Sequence, residues 1–487
     1  MINSENILLV GSVLLFFSIL FSKTGFKFGV PTLLVFLLVG MGFGTDGLGI
    51  EFSSAKDAQF IGMVALSIIL FSGGMDTKIS SIKPVLTPGI LLSTAGVLIT
   101  TVLTGGFIFF ISGLSKTNIA LGLMTSMLLA ATMSSTDSAS VFNILKSQHM
   151  NLKYNLRPLL ELESGSNDPM AIMLTLVLIQ VISGGSELDA LPIVRNLLIQ
   201  FSVGGLLGFL MGRFCTWIIN KINLPNGSLY PILLLSLVFI TFIFTDLLSG
   251  NGYLAVYIAG IVVGNNKLAY RKEINTFMNG LTWLFQIIMF LTLGLLVNPH
   301  EMLDVALVAI LIAIFMVLIA RPVSVFACLM PFKEFPAKAK LFVSWVGLRG
   351  AAPIIFATYP VIAGIESASI IFNVVFFITL LSLLVQGMSI GSVAKKLHLD
   401  LPEETEGNEF GIELPDELDS QLEELTVSET MLQNGSRLMD MKFSKGQLVM
   451  IIKRADKFIV PNGQLELAVG DKLLLIKENE ETITTNP

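Results

Sequence analysis

Long apolar segments follow one another through most of this chain and limit the folds that are open to it. A transmembrane helix needs about 20 consecutive apolar residues, and the sequence contains thirteen segments of roughly this length. Hydrophobic residues make up 53% of the chain and charged residues only 14%, which is typical of proteins with many membrane spans. We predict a polytopic α-helical membrane protein with approximate spans at 6–22, 29–44, 58–74, 86–113, 118–145, 157–183, 193–219, 228–249, 252–266, 275–297, 303–330, 338–359 and 367–392.

Basic residues are concentrated in the loops that follow odd-numbered segments. The loop after the fifth segment, for example, contains Lys146, Lys153 and Arg157, whereas Lys56 and Lys116 are the main bases in the loops after even-numbered segments. Cytoplasmic loops have the excess of lysine and arginine, so we predict an external N-terminus and a cytoplasmic C-terminus. The N-terminus lacks the basic region of a signal peptide, and we expect the first segment to remain as a span.

The composition changes after the last apolar segment. Residues 399–423 are acidic and polar, which predicts a linker or a short helix. From residue 424 to 487, short alternating runs at 448–452, 457–460 and 472–476 are separated by turn residues. We predict a small β-rich α+β domain, and the orientation of the spans places it on the cytoplasmic side.

Residue types that commonly support enzyme chemistry are few and scattered. Cys215 and Cys328 lie in apolar sequence without the spacing of metal ligands, and His149, His300 and His398 are separated in the chain. The sequence has no Gly-x-x-x-x-Gly-Lys-Ser/Thr phosphate loop. We expect a protein that is not an enzyme, needs no cofactor and has no nucleic-acid partner; its surroundings are membrane lipid.

Three carboxylates lie in the sixth apolar segment, within the sequence Glu161-Leu-Glu-Ser-Gly-Ser-Asn-Asp168. Charge inside a membrane is costly and indicates function. Asp168 is about 11 residues, or roughly 16 Å, from the cytoplasmic end, which is near the midplane. Ser164 lies one turn earlier on the same face, and Pro169 has no N–H for the carbonyl of Gly165. Carboxylate, hydroxyl and carbonyl oxygens suit a bare alkali cation.

Polar residues also interrupt the fifth and twelfth segments. The block 134–138, which contains Asp137, predicts unwound backbone that lines a cavity, although a seam of small residues between helices is an alternative. Arg349 of the twelfth segment lies between glycines and needs a carboxylate partner. Glu163 is our candidate, and a purely structural ion pair is the alternative role. The two segments are seven apart and cross in opposite directions, an arrangement typical of secondary-transporter binding sites.

A carboxylate at the midplane binds either a proton or a cation well, but not both. Competition for Asp168 would therefore couple two opposing fluxes without ATP. If Arg349 neutralises Glu163, a single free acid predicts one cation per proton and electroneutral exchange. Asp137 leaves this stoichiometry open.

Four motifs together resemble the NhaP-type (CPA-one) branch of the monovalent cation/proton antiporter family, over residues 5–395. The resemblance implies thirteen helices in two inverted repeats of six, a homodimer in the cell (inner) membrane, and elevator-like alternating access. The matching sequences are Ser135-Thr-Asp-Ser138, Glu163-Ser-Gly-Ser-Asn-Asp168, Gly252-Tyr-Leu-Ala-Val-Tyr-Ile-Ala-Gly-Ile-Val-Val-Gly-Asn265 and Gly347-Leu-Arg-Gly-Ala-Ala-Pro353.

The same resemblance implies roles for individual residues. Asp168 is the expected carrier of cation and proton and would ligate the cation together with Thr136 and Ser164. Asp137 is expected to line the site and Asn167 to support it. The resemblance also implies the ion pair between Glu163 and Arg349.

One motif of the third segment departs from the family pattern. Many relatives have Glu within Leu-Phe-Glu-Gly-Gly, whereas this chain has Leu70-Phe-Ser-Gly-Gly74. Ser72 is therefore a further candidate for lining the site.

The C-terminal region resembles the RCK C-terminal (Trk-A-C) module, with a start near residue 408 and an end near residue 480. Antiporters with this module are often potassium/proton exchangers, and the module binds nucleotides or other small ligands. We expect exchange of cytoplasmic K⁺ for external H⁺ under the control of this domain. Na⁺/H⁺ exchange, a gated cation channel and a membrane sensor that transports nothing are the alternatives; no Thr-Val-Gly-Tyr-Gly-like filter supports the channel.

Overall fold

The structure is a computed structural model, and it describes residues 4–27, 31–113, 121–148, 150–184, 190–402, 420–428, 431–441, 443, 446–454 and 457–478. The chain forms two compact units, Met1–Pro402 and Glu403–Pro487. The division lies near residue 398, where we predict the end of the membrane domain.

The first unit is built from apolar helices, and every predicted segment contains at least one of them. The fifth and twelfth segments each contain two, which are α5 with α6 and α13 with α14. The helices of the described residues are α1 (Ser4–Lys27), α2 (Thr32–Phe43), α3 (Ala55–Asp76), α4 (Ile79–Ser112), α5 (Leu123–Thr132), α6 (Ser138–Ser147), α7 (Leu156–Gly184), α8 (Ala190–Lys221), α9 (Leu229–Leu247), α10 (Gly252–Gly264), α11 (Arg271–Leu296), α12 (Pro299–Leu329), α13 (Ala337–Trp345), α14 (Ala351–Ile362) and α15 (Ala368–Lys396).

Length and composition identify the helices that are able to cross a membrane. In the described part of the chain, eight helices are long and apolar enough: α3, α4, α7, α8, α9, α11, α12 and α15. Shorter apolar helices lie within α1, α2, α5, α10 and α14. The protein is therefore a multi-pass membrane protein.

Glycines allow the helices around the centre of this unit to approach closely. A Cβ atom at Gly40 of α2 would lie 2.5 Å from the carbonyl oxygen of Leu291 in α11. A Cβ atom at Gly260 of α10 would lie 2.3 Å from the carbonyl oxygen of Phe71 in α3. Small residues at such contacts let backbones pack against each other where lipid removes the hydrophobic drive for association.

Two short strands connect distant parts of the first unit. β1 (Met150–Leu152), between α6 and α7, pairs antiparallel with β2 (Asp400–Pro402), which follows α15. The Lys153 ammonium also donates a hydrogen bond to the His398 carbonyl oxygen at 2.9 Å. The loop after the predicted fifth span and the end of the unit therefore lie on the same side, as an even number of intervening crossings requires.

The second unit contains an antiparallel sheet with strand order β3-β6-β4-β5. Its strands are β3 (Ser420–Thr426), β4 (Gln447–Arg454), β5 (Lys457–Ile459) and β6 (Lys472–Glu478). The three strands expected from alternation are present. β2 and the first residues of β3 fall within the predicted linker, 399–423, and its residues 403–419 lie outside the described part of the chain. β3 is acidic, and its regular structure comes from pairing along its whole length with β6, some 50 residues later.

Candidate functional site

The two interrupted segments meet at their non-helical residues. α5 ends at Thr132 and α6 begins at Ser138, while α13 ends at Trp345 and α14 begins at Ala351. The Asp137 amide donates a hydrogen bond to the Leu348 carbonyl oxygen at 2.8 Å. The prediction of unwound backbone at 134–138 is confirmed, and the interrupted twelfth segment is also non-helical, between Trp345 and Ala351.

Arg349 lies against the carboxyl end of α5. Its guanidinium donates a hydrogen bond to the Ser134 carbonyl oxygen at 3.1 Å and another to the Ser135 carbonyl oxygen. The last carbonyls of a helix lack partners within it, and a positive charge is favourable there. Ser134 and Ser135 follow the end of α5, so Arg349 bonds carbonyls of the unwound residues and places its charge next to this helix end. Its side chain is almost fully buried.

Asp137 occupies the opposite kind of helix end. Its Oδ1 accepts a hydrogen bond from the Ser140 amide at 3.0 Å, and the Ser140 hydroxyl donates to Oδ2. This is an N-cap of α6, where a negative charge is favourable. Gly350 leaves room for the carboxylate, since a Cβ atom there would lie 2.2 Å from Asp137 Oδ2. The crossing thus has a base at a helix C-terminus and an acid at a helix N-terminus.

The predicted ion pair between Glu163 and Arg349 is wrong. Glu163 instead accepts a hydrogen bond from the guanidinium of Arg321 in α12, and both side chains are almost fully buried. The physical reason is that α12 brings Arg321 to Glu163 and so supplies the charge that the buried carboxylate needs, while Arg349 Nη1 donates to the carbonyl oxygens of Ser134 and Ser135. Arg321 also lies against Gly347, because a Cβ atom at Gly347 would lie 3.0 Å from Arg321 Nε.

Arg321 is absent from the predicted site residues, although the sequence contains a signal for it. Arg321 is the one charged residue between Asp304 and Lys333, which places it inside an apolar run rather than at a membrane surface. It directly follows a π-helical turn, Met316–Ala320, and such turns are frequent at functional sites.

Three side chains connect α7 to the unwound part of the fifth segment. Ser164 donates a hydrogen bond to the Thr136 carbonyl oxygen at 2.8 Å and accepts one from the Ser138 amide at 3.1 Å. The Asn167 amide donates to the Thr136 hydroxyl at 2.6 Å. Thr136, Ser164 and Asn167 therefore fix the unwound backbone against the helix that contains Asp168.

Asp168 and Asp137 both line a small cavity at the crossing. The cavity has a volume of about 40 Å³, and roughly 10–15 Å³ is enough for one water molecule. In the described part of the chain, Asp168 Oδ1 and the Ser135 hydroxyl are buried without a hydrogen-bond partner. Other lining residues include Thr136, Gln286 of α11 and Pro353.

The third segment contributes differently from the prediction. Leu66 and Ile69 of α3 line the cavity, while Ser72 is buried one turn further along the helix.

Two polar residues outside the quoted site motifs also belong to the surroundings of the cavity. Gln286 is a buried amide in an apolar helix, and the Asn251 amide donates to the Pro169 carbonyl oxygen at 3.1 Å while its Oδ1 caps α10.

Comparison with known proteins assigns the family. The family model for the sodium/hydrogen exchanger, transmembrane, matches residues 11–396. This chain belongs to the sodium/hydrogen exchanger family. The NhaP-type resemblance of its motifs is confirmed by relatives that are named as antiporters.

Relatives of this exchanger cover most of its length. The K(+)/H(+) antiporter NhaP2 of Shewanella oneidensis is 37% identical over 97% of this chain and 81% of the relative. The K(+)/H(+) antiporter NhaP of Alkalimonas amylolytica is 42% identical over 82% of this chain and 68% of the relative. The Na(+)/H(+) antiporter ApNhaP of Aphanothece halophytica is 27% identical over 82% of this chain and 75% of the relative.

The fold of this exchanger also matches a solved structure. The sodium proton antiporter MjNhaP1 of Methanocaldococcus jannaschii at pH 8 has a TM-score of 0.69 and 24% identity, covering 81% of this chain and 99% of that one. The family model and the relatives named as antiporters identify the protein as a cation/proton antiporter with monovalent cations as substrates, and the prediction that it is not an enzyme is confirmed. The family assignment argues against the channel and the non-transporting sensor.

Proposed function

We propose that this antiporter exchanges cytoplasmic K⁺ for external H⁺ and that Asp168 is the carrier of both ions. The choice of K⁺ rests on the two relatives at 37% and 42% identity that are named K(+)/H(+) antiporters. Na⁺/H⁺ exchange is the second candidate, because the relative at 27% identity is named a Na(+)/H(+) antiporter.

One observation supports Asp168 above the other acids at the crossing. Glu163 is bound to Arg321, and Asp137 caps α6 through Ser140. Asp168 lines the cavity with Oδ1 buried and without a hydrogen-bond partner among the described residues. A carboxylate oxygen in this position gains a partner when either a proton or a cation binds. We propose that the two ions compete for Asp168, one replacing the other.

This pairing pattern also supports one cation per proton. Glu163 is paired with Arg321 and Asp137 caps α6 through Ser140, which leaves Asp168 as the acid that we propose changes charge. We propose Thr136, which lines the cavity, as the second ligand of the cation. We propose Ser164 as the third ligand; its hydroxyl donates a hydrogen bond to the Thr136 carbonyl oxygen. Asn167 has a supporting role.

We further propose thirteen crossings, with α5 and α6 as the fifth and α13 and α14 as the twelfth. The seven-segment separation of these crossings supports two inverted repeats, and their non-helical centres support an elevator-type movement around the site. The N-terminus would lie outside and the second unit in the cytoplasm of an inner-membrane homodimer. We propose that the second unit is an RCK-C-like regulatory domain that binds a nucleotide or another small ligand.

The test is proton flux in proteoliposomes, with K⁺, Na⁺ or Li⁺ added in turn. Wild-type protein is compared with Asp168→Asn and with a matched control, Asp246→Asn, which changes an exposed acid of α9. We expect K⁺-dependent proton movement in the wild type and the control, and background flux in Asp168→Asn. Activity with Na⁺ alone would replace the proposed cation but retain the site. Full activity of Asp168→Asn would refute the carrier role.

Electroneutrality is tested in the same vesicles with an imposed membrane potential. One-for-one exchange predicts a rate in the K⁺ assay that does not change when the gradient of a permeant anion sets the potential and the K⁺ and H⁺ gradients are kept the same. A rate that rises or falls with potential would refute the stoichiometry.

A further inference from the structure

A second cavity lies away from the ion site, between α12, α13 and α15. Its volume is about 200 Å³, compared with about 150 Å³ for an engineered apolar cavity that binds benzene. Most of its lining is aliphatic. The lining residues are Ala313, Ile314, Met316, Val317, Leu318, Trp345, Ile378, Leu381, Ser382, Val385 and Gln386.

The few polar groups of this cavity already have partners. Ser382 donates a hydrogen bond to Gln386 Oε1 at 2.5 Å, and the Gln386 amide donates to the Trp345 carbonyl oxygen at 2.7 Å. The Trp345 indole N–H donates to the Ser389 hydroxyl at 3.0 Å. A polar ligand would therefore find no free hydrogen-bonding group among these side chains, whereas an apolar ligand needs none.

The cavity opens sideways at the depth of the bilayer centre. On α12 it involves residues 313–318, near the middle of Pro299–Leu329, and on α15 residues 378–386, near the middle of Ala368–Lys396. Its mouth is formed by exposed aliphatic side chains, with Ile314 51% and Leu318 59% exposed. The medium that meets such a mouth at this depth is lipid hydrocarbon.

We propose that this cavity binds one acyl chain of a bilayer phospholipid. The π-helical turns Met316–Ala320 and Leu383–Gly387 each contribute residues to its wall. An inserted chain would contact Trp345, the last residue of α13, next to the unwound segment that contains Arg349. The binding step does not depend on which cation is exchanged.

Tryptophan quenching by lipids brominated at mid-chain tests this proposal on the full chain in nanodiscs. The chain has three tryptophans. One variant retains only Trp345 (Trp217→Phe with Trp283→Phe), and the other retains only Trp283 (Trp217→Phe with Trp345→Phe). Trp283 lies near the middle of α11 and is 43% exposed, whereas Trp345 is only partly exposed. Surface contact alone would therefore quench Trp283 more.

An acyl chain bound in the cavity reverses this order, so that Trp345 is quenched more than Trp283. Because a pocket surrounds most of its ligand's surface, we expect quenching of Trp345 to exceed that of Trp283 by about twofold. In the Trp345-only protein, Val385→Phe narrows the mouth and should remove the excess. Leu384→Phe is the matched control, since Leu384 has a similar exposure but does not line the cavity.

Each other outcome overturns the proposal. Weaker quenching of Trp345 than of Trp283 would mean that the cavity is empty or covered by a second copy of the chain. Equal effects of Val385→Phe and Leu384→Phe would mean that the quenching lipid lies outside the cavity. Size-exclusion profiles and flux of each variant verify that the protein remains folded.

Discussion

The carboxylate of Glu163 accepts its hydrogen bond from Arg321, on α12, and not from the nearby Arg349. Both partners are buried, so neither charge has water as an alternative. Breaking a buried pair by removing one partner costs about 3–5 kcal/mol, whereas replacing both with apolar residues of similar size is often neutral.

We therefore predict that Glu163→Leu and Arg321→Met each lower the stability of the detergent-solubilised protein by about 3 kcal/mol. The double variant Glu163→Leu with Arg321→Met should recover most of the loss. Thermal unfolding of the four proteins forms a double-mutant cycle that measures the coupling. Additive losses in the double variant would show that the pair has no special energetic role.

Arg349 provides a second prediction, because its partners are backbone carbonyls. Arg349→Ala leaves the carbonyl oxygens of Ser134 and Ser135 without their charged donor, and a hydrogen bond to a charged group contributes about 1.5–3 kcal/mol. We expect a fall in thermal stability of that order and a loss of exchange. Arg349→Lys should retain part of both, since it keeps a cation near the α5 terminus. Arg213→Ala, on an exposed face of α8, is the control.

Asp137 and Asp168 are expected to respond differently to the same substitution. Asparagine is as good an N-cap as aspartate, whereas alanine costs about 1 kcal/mol. Asp137→Asn should therefore keep the stability of the wild type and measurable exchange, and Asp137→Ala should lose stability. Asp168→Asn should remain folded and reduce flux to background. If Asp137→Asn abolished exchange while Asp168→Asn did not, the proposed roles of the two acids would be reversed.

The apolar segments, their polar interruptions and the three later strands could be predicted because each depends on residues that are neighbours in sequence. A serine, threonine and aspartate block cannot remain helical in lipid without partners, so the break at 134–138 was visible. The partner of Glu163 was not, because Arg321 is 158 residues away in the chain and reaches Glu163 only when α7 and α12 pack together. Gln286 and Asn251 are single polar residues whose importance appears only when distant helices come together. Similarly, β3 depends on pairing with β6.

Gly350 tests how closely the two unwound segments must approach. Because a Cβ atom there would lie 2.2 Å from the Asp137 carboxylate, Gly350→Ala forces the N-cap of α6 or the start of α14 to move. We expect a stability loss of about 1–3 kcal/mol, the usual cost of overpacking, together with reduced exchange. Gly106→Ala is the matched control, since a Cβ atom at Gly106 of α4 meets nothing within 4 Å. An equal response of the two variants would show that the approach at Gly350 is not required.

The second unit has a pH-dependent contact of its own. Asp471 accepts hydrogen bonds from Arg454 Nε at 2.8 Å, from Nη2 at 2.7 Å and from the Ala468 amide at 2.8 Å, and its side chain is 2% exposed. The bonds from Arg454, followed by the Ala468 amide, hold the pKa of this carboxyl below its ordinary value. A lowered pKa in the folded state stabilises the unit above the unfolded-state pKa of about 3.9, and the contribution disappears as pH falls through the folded-state pKa.

We therefore expect amide protection in β6, measured by hydrogen exchange on the full chain, to change little with pH near neutrality and to fall below about pH 4, where this contact is lost. Asp471→Asn should lower protection at neutral pH, by about 1–3 kcal/mol for the lost charge-assisted bonds, and should weaken the acid dependence. Glu466→Gln, at an exposed position of the same unit, is the control. An acid dependence that is unchanged in Asp471→Asn would show that other carboxylates determine it.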